Sequence, residues 1–180
     1  MTRRVAAAAL AFGVSFGGAA ILQAQDHDDD APAITARVHG TFIDQAGGAG
    51  VLSGDMTIQR FELRAGAVTA VGRIAGALAD SKGAVLGLVE QELVLPVGNV
   101  ESTCNQLRMD LAGTEADILQ VRVRFDKETA GFDSRDGATP KALGVLCEVG
   151  ALLGRKPAPA DVAKALDGVA VALRVRSSAR

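Results

Sequence analysis

The sequence predicts a mainly β protein with α, an α+β fold. Its expected form is a curled antiparallel meander or partial barrel of about six strands, followed by one or two C-terminal helices. Three observations predict this. Apolar and polar residues alternate with a period of two in successive runs between Ile34 and Phe125. Short turn signals rich in Gly, Asn and Asp separate those runs, which suits antiparallel neighbours. Beyond Asp133 the apolar spacing becomes helical.

The chain ahead of the strands reads as an address. Thr2-Arg3-Arg4 gives a positive start, and Val5 to Leu22 is uncharged and rich in Ala and Gly. Leu22-Gln23-Ala24 ends on a small residue, so residues 1–24 are expected to be a secretory signal peptide. Cleavage after Ala20 is an alternative. An uncleaved anchor is a competing reading, because the 18-residue apolar run reaches the lower limit for a bilayer span. Gly13, Ser15, Gly17 and Gly18 dilute that run and favour cleavage. The first Cys is Cys104, so no lipoprotein site is expected. Residues 25–33 form an acidic, disordered lead-in, and 34–180 a single disulfide-containing domain. The expected location is secreted or periplasmic, with no stable membrane span after cleavage.

The strands follow in order. Ile34, Ala36, Val38, Gly40 and Phe42 share one face of the first, and residues 45–50 make a turn. The second runs from Val51 to Arg64. Its phase slips, and a bulge near Gln59-Arg60 would return Phe61 and Leu63 to the core side. Ala65-Gly66 closes a hairpin. The third puts Val68, Ala70, Gly72, Ile74, Gly76 and Leu78 on one face, and its interior glycines imply curvature or close packing. Asp80-Ser81-Lys82-Gly83 is a turn. The fourth, Ala84 to Val97, is apolar on both parities at each end, so partial cover on both faces is expected. Pro96 predicts its end, and Gly98-Asn99 a turn. The fifth carries Leu107, Met109 and Leu111; the sixth carries Leu119, Val121, Val123 and Phe125.

Asp133 to Gly137 is a polar loop. Thr139-Pro140 gives an N-cap with proline at the first helical position. Leu143, Leu146, Cys147, Gly150 and Leu153 follow at helical spacing, and Gly154 stops the helix. Two prolines mark 156–160 as a linker, and Asp161 could cap a short helix to about Asp167. From Val169 to Arg176 the alternation slightly favours a last strand over a continued helix. Cys104 and Cys147 are the only cysteines, which in an exported protein is most simply a structural disulfide. A redox dithiol is the alternative, but it usually has a closer C-x-x-C spacing. The bond would hold the helix against the sheet.

Of 19 basic residues Arg3 and Arg4 fall in the leader, so the mature chain carries 17 against 21 acidic, a formal charge of −4. No nucleic-acid partner is expected from such a chain. It has no Trp and no Tyr, so stacking platforms for bases or sugars are scarce.

Gly40-Thr41-Phe42, the run from Gly54 to Phe61, Val71 to Leu78, Leu95-Pro96-Val97, Cys104 with Leu107, Met109 and Leu111, and Gly144 to Cys147 resemble a family of secreted bacterial hypothetical proteins of unknown function. The resemblance spans roughly 40–153. It implies one domain and a Cys104–Cys147 pair, and it carries over no catalytic residue. The stretch 126–140 is more charged than the Gly/Leu-rich segment of that family.

No catalytic set emerges. Beyond the leader the histidines are His27 and His39, one in the acidic lead-in and one facing outward. No G-x-S-x-G or phosphate-loop pattern occurs, and Ser53-Gly54 lacks the preceding glycine. Glu90 and Glu92 lie about 7 Å apart on one strand face. They could serve glycoside hydrolysis, although a solvated face explains them more simply. A chain beginning Gln25-Asp26-His27 would offer an amine, two amides and an imidazole, a square-planar set for Cu(II) or Ni(II). Cyclisation of Gln25 would remove the amine, and a solvated acidic tail is the plain alternative. The expected function is a non-enzymatic binding domain, holding a small apolar ligand between sheet and helix. A structural or protein-interaction module at the cell envelope is the alternative, and an unrecognised enzyme comes third. A cavity at Gly72, Gly76 and the helix would favour the ligand. A filled core with an exposed apolar patch would favour a partner.

Overall fold

The computed structural model describes residues 33–174. Eight strands are followed by two helices: β1 (Ile34–Ile43), β2 (Ala49–Arg64), β3 (Ala67–Ala79), β4 (Val85–Ser102), β5 (Gln106–Leu111), β6 (Glu115–Ile118), β7 (Val121–Phe125), β8 (Glu128–Asp133), α1 (Pro140–Leu153) and α2 (Pro159–Arg174). Neighbouring strands pair antiparallel in the order β2-β3-β4-β5-β8-β1-β7-β6, and β1 also pairs with β2 along its length. Six strands, β1-β2-β3-β4-β5-β8, therefore close into a ring. The β6–β7 hairpin extends the wall where β8 leaves β1, because Gly40 and Thr41 pair with β7 while Thr35 and Ala36 pair with β8.

The period-two residues fill this ring. β1 alternates strictly between buried and exposed, with Ile34, Ala36, Val38 and Phe42 inside. They join Leu52, Met56, Ile74, Leu78, Val89, Leu93, Met109, Ile118, Val123 and Phe132 in one continuous core. The β2 register shifts between Ile58 and Arg60, where the sequence places its bulge, and Phe61 turns inward. Leu63 does not: it is 46% exposed, because it lies at the hairpin end beyond the packed core.

Gly54 and Gly76 face each other across β2 and β3. A Cβ on Gly54 would lie 2.5 Å from the Ala75 carbonyl oxygen, and one on Gly76 would lie 2.4 Å from that of Ser53. The interior glycines therefore allow close approach of neighbouring backbones in a strongly coiled sheet, and the room they leave is taken by β2.

Several elements differ from expectation. β4 continues past Pro96 to Ser102, since the proline sits beside a register shift between Val97 and Val100 and its carbonyl still accepts the Ala112 amide at 2.8 Å. Gly98-Asn99 is thus part of that irregularity and not a turn. Leu119 is not a strand residue; with Gln120 it forms the β6–β7 turn, at φ of 48° and 67°. β8 is an additional strand, with Ala130 and Phe132 buried. Residues 159–174 form one helix, so the favoured last strand is replaced by α2, whose buried side chains include Leu166, Val169 and Leu173. Asp161 lies in its first turn.

α1 begins as expected, with the Thr139 hydroxyl accepting the Ala142 amide at 3.2 Å and Pro140 next. Gly154 ends it. α1 packs on β4 and α2; α2 packs on β2 and β3. Beyond the start of β1, the β2 edge carries no further strand among the described residues, and the Asp167 carboxylate accepts the Phe61 amide there at 3.1 Å. The helices therefore cover the end of the barrel that holds the β2–β3 and β4–β5 turns. Cys104 and Cys147 form the disulfide, which ties the β4–β5 turn to the middle of α1. Beside it the Ser102 hydroxyl donates to the Leu146 carbonyl at 3.1 Å.

Candidate interaction surface

The opposite end of the barrel carries the β1–β2, β3–β4 and β6–β7 turns. Asp44 joins the first two. Its carboxylate accepts the Ala46 and Gly48 amides at 2.9 and 2.8 Å, and the Ser81 amide of the next hairpin at 3.0 Å. The Ser81 hydroxyl, then the Ser81 and Gly48 amides, hold the Asp44 carboxyl down at about 2. A carboxyl depressed in the folded state contributes stability above its ordinary value near 3.8, and that contribution fades as pH falls toward 2. Asp44→Asn is therefore expected to lower the melting temperature at neutral pH. Thermal scans should show the gap from wild type closing between pH 4 and 2, and a gap that persists in acid would contradict the clamp. Asp133, at the far end, is held at about 2 in the same way by the Arg135 guanidinium, whose residue it also caps.

Apolar residues are also exposed at this end of the barrel. Val85, Leu86 and Leu88 are 67%, 55% and 80% exposed, and Ile43, Val51 and Leu119 are exposed beside them. Both faces of early β4 were expected to be partly covered. Instead its outward face at Leu86 and Leu88 is bare, because none of the described elements packs there.

Among the described residues the same stretch of β4 is an unpaired edge. β4 pairs with β3 from Val85 to Pro96, but pairing with β5 begins only at Val97. β6 runs alongside early β4 and pairs only with β7. Among the described residues β4 and β6 form no paired ladder. The Gln91 side-chain amide donates across the gap to the Asp117 carbonyl at 3.2 Å, and Leu119 lies over Gly87. The ring is thus closed by a ladder at its helix-capped half and by side chains at its turn-bearing half.

The outward residues along this seam are acidic. Glu90 and Glu92 stand on the β4 bank, Glu115 and Asp117 on the β6 bank. Each meets an arginine from a strand behind it: Arg73 at 3.0 Å, Arg60 at 3.1 Å, Arg124 at 3.2 Å and Arg122 at 3.3 Å respectively. The Glu90–Glu92 pair considered for glycoside hydrolysis is accordingly engaged in solvent-exposed cross-strand ion pairs and does not face a substrate site.

The other sequence candidates lie apart. His39 faces outward and its Nδ1 is 2.8 Å from Glu128 Oε1, at the corner between β7 and β8. Ser53 is its cross-strand neighbour and is exposed on the same outer face. Gln25, Asp26 and His27 lie outside the described residues, and so does the signal segment. Among the described residues no cluster of three His, Cys, Asp or Glu could hold a metal, and no helix is long and apolar enough to cross a membrane. A surface groove of about 480 Å³ runs between α1 and α2, floored by Val145, Val149, Leu152 and Ala165. No family model, curated protein or solved structure matches the chain.

Proposed function

We propose that this is an exported, non-enzymatic protein-interaction module of the cell envelope. One observation carries the reading: among the described residues the barrel interior is occupied by one continuous cluster of buried side chains, while bare apolar residues sit at an unpaired strand edge outside. A carrier of the lipocalin kind needs an interior with room for its ligand, and Gly72 and Gly76 abut the β2 backbone instead. The disulfide fits an oxidising compartment, and the leader-like residues 1–24 supply the address. Export, the address and the partner are parts of this proposal.

The test is a photo-crosslinking residue at Leu88 in the producing cell. It is expected to give a discrete protein adduct that the same residue at Lys141, exposed on α1, does not give. Equal labelling from both positions would contradict the reading. A second reading rests on the groove between α1 and α2, whose apolar floor suits a single aliphatic chain. It moves the small-ligand expectation from the sheet–helix interface to the helix pair.

A further inference from the structure

We propose that the β4–β6 seam receives an extended, basic segment of a partner protein, which adds to the β4 edge as a further strand. The inference rests on the interaction reading above and names the partner's chemistry.

Two unpaired strand edges face each other here, bridged by one side-chain amide. Free backbone N–H and C=O groups on a strand edge are a template for another strand, and main-chain hydrogen bonds then supply affinity while alternate side chains supply choice. The pattern along β4 sets that choice. Val89 and Leu93 point into the core, and Leu86, Leu88, Glu90 and Glu92 point outward. An added strand would set its outward side chains beside these, between Glu90 and Glu92 on one bank and Glu115 and Asp117 on the other. The matching arginines stand on β2, β3 and β7, behind the banks. Lysine or arginine at alternate positions of the incoming segment would therefore share these carboxylates with the arginines behind them, with apolar residues beside Leu86 and Leu88.

A second copy of this chain is the wrong occupant. Two β4 edges paired along most of the free stretch, about a twofold near Glu90 or Gln91, would set Glu90 against Glu90 or Glu92 of the other copy, and like charges directly opposite are destabilising. The same carboxylates that attract a basic segment keep the bare edge from pairing with itself.

The probe is a peptide about ten residues long, a strand's length, alternating lysine and valine. Its glutamate–valine counterpart is the control. Binding is read by fluorescence anisotropy, and its place by amide hydrogen exchange on the whole protein. The lysine peptide is expected to bind and to slow exchange across 85–93 and 115–118. The double substitution Glu90→Lys/Glu92→Lys is expected to weaken it about tenfold, or 1.4 kcal/mol, and to admit the glutamate peptide. Should that variant misfold, Glu90→Gln/Glu92→Gln keeps the shape, and a clear but smaller loss is expected. Binding without protection of the two edges, no binding at all, or a dimer that already protects 85–93 would each overturn the proposal. If Leu88 crosslinks to a partner while the lysine peptide leaves the seam unprotected, this inference falls and the interaction reading stands. If both fail, both fall.

Discussion

Replacing Cys104 and Cys147 with serine is expected to cost about 3–4 kcal/mol, the chain entropy of a loop closed across 43 positions. For a domain of this size that lowers the melting temperature by roughly 10 °C. The loss should be local in character. The bond joins the β4–β5 turn to α1, and the Ser102–Leu146 hydrogen bond lies beside it. Hydrogen exchange should accelerate first and most in α1 and at 103–106, while the long β2–β3 ladder loosens only in step with the global loss. A variant that melts as wild type, or loosens first at β2–β3, would show that the helix is held by its buried face of Ala142, Leu146 and Val149 alone.

The second large effect concerns Gly54 and Gly76. Alanine at either position must push apart two backbones, since the new Cβ would meet carbonyl oxygen at 2.5 or 2.4 Å. Backbone in the middle of a ladder has little room to move, so each substitution is expected to cost about 2–3 kcal/mol, near the upper range for overpacking. The two residues face each other, so the double variant should cost less than the sum, because one separation of the strands relieves both. Urea unfolding midpoints with unchanged slope would measure it. Additive or negligible costs would mean the sheet is more loosely coiled here than its geometry indicates.

Much of this architecture is local, and what is local was readable. The strict alternation of β1, the slip at Gln59-Arg60, the Thr139-Pro140 start and the Gly154 stop each depend on a few neighbouring residues. What depends on distant pairing was not readable. β8 is six residues long and earns its place by pairing with both β5 and β1, a closure between residues nearly a hundred positions apart. α2 is buried around much of its circumference, so its apolar stripe blurs and Val169 to Leu173 imitate a strand. Pro96 misled because it lies beside an irregularity, where its missing N–H costs little. The seam was half visible. Leucines on both parities of early β4 stood out in the sequence, but whether anything covers the outer ones is decided by β6, which stops short of pairing.

On the reading proposed above, the molecule works from its outer surface and keeps its interior for its own side chains. Native mass spectrometry of the exported, unrefolded protein tests this most directly. The expected spectrum is a chain two hydrogens light, shortened at its N-terminus, with no small molecule retained. A stoichiometric apolar compound released only on unfolding would contradict the claim, and would make the protein a carrier.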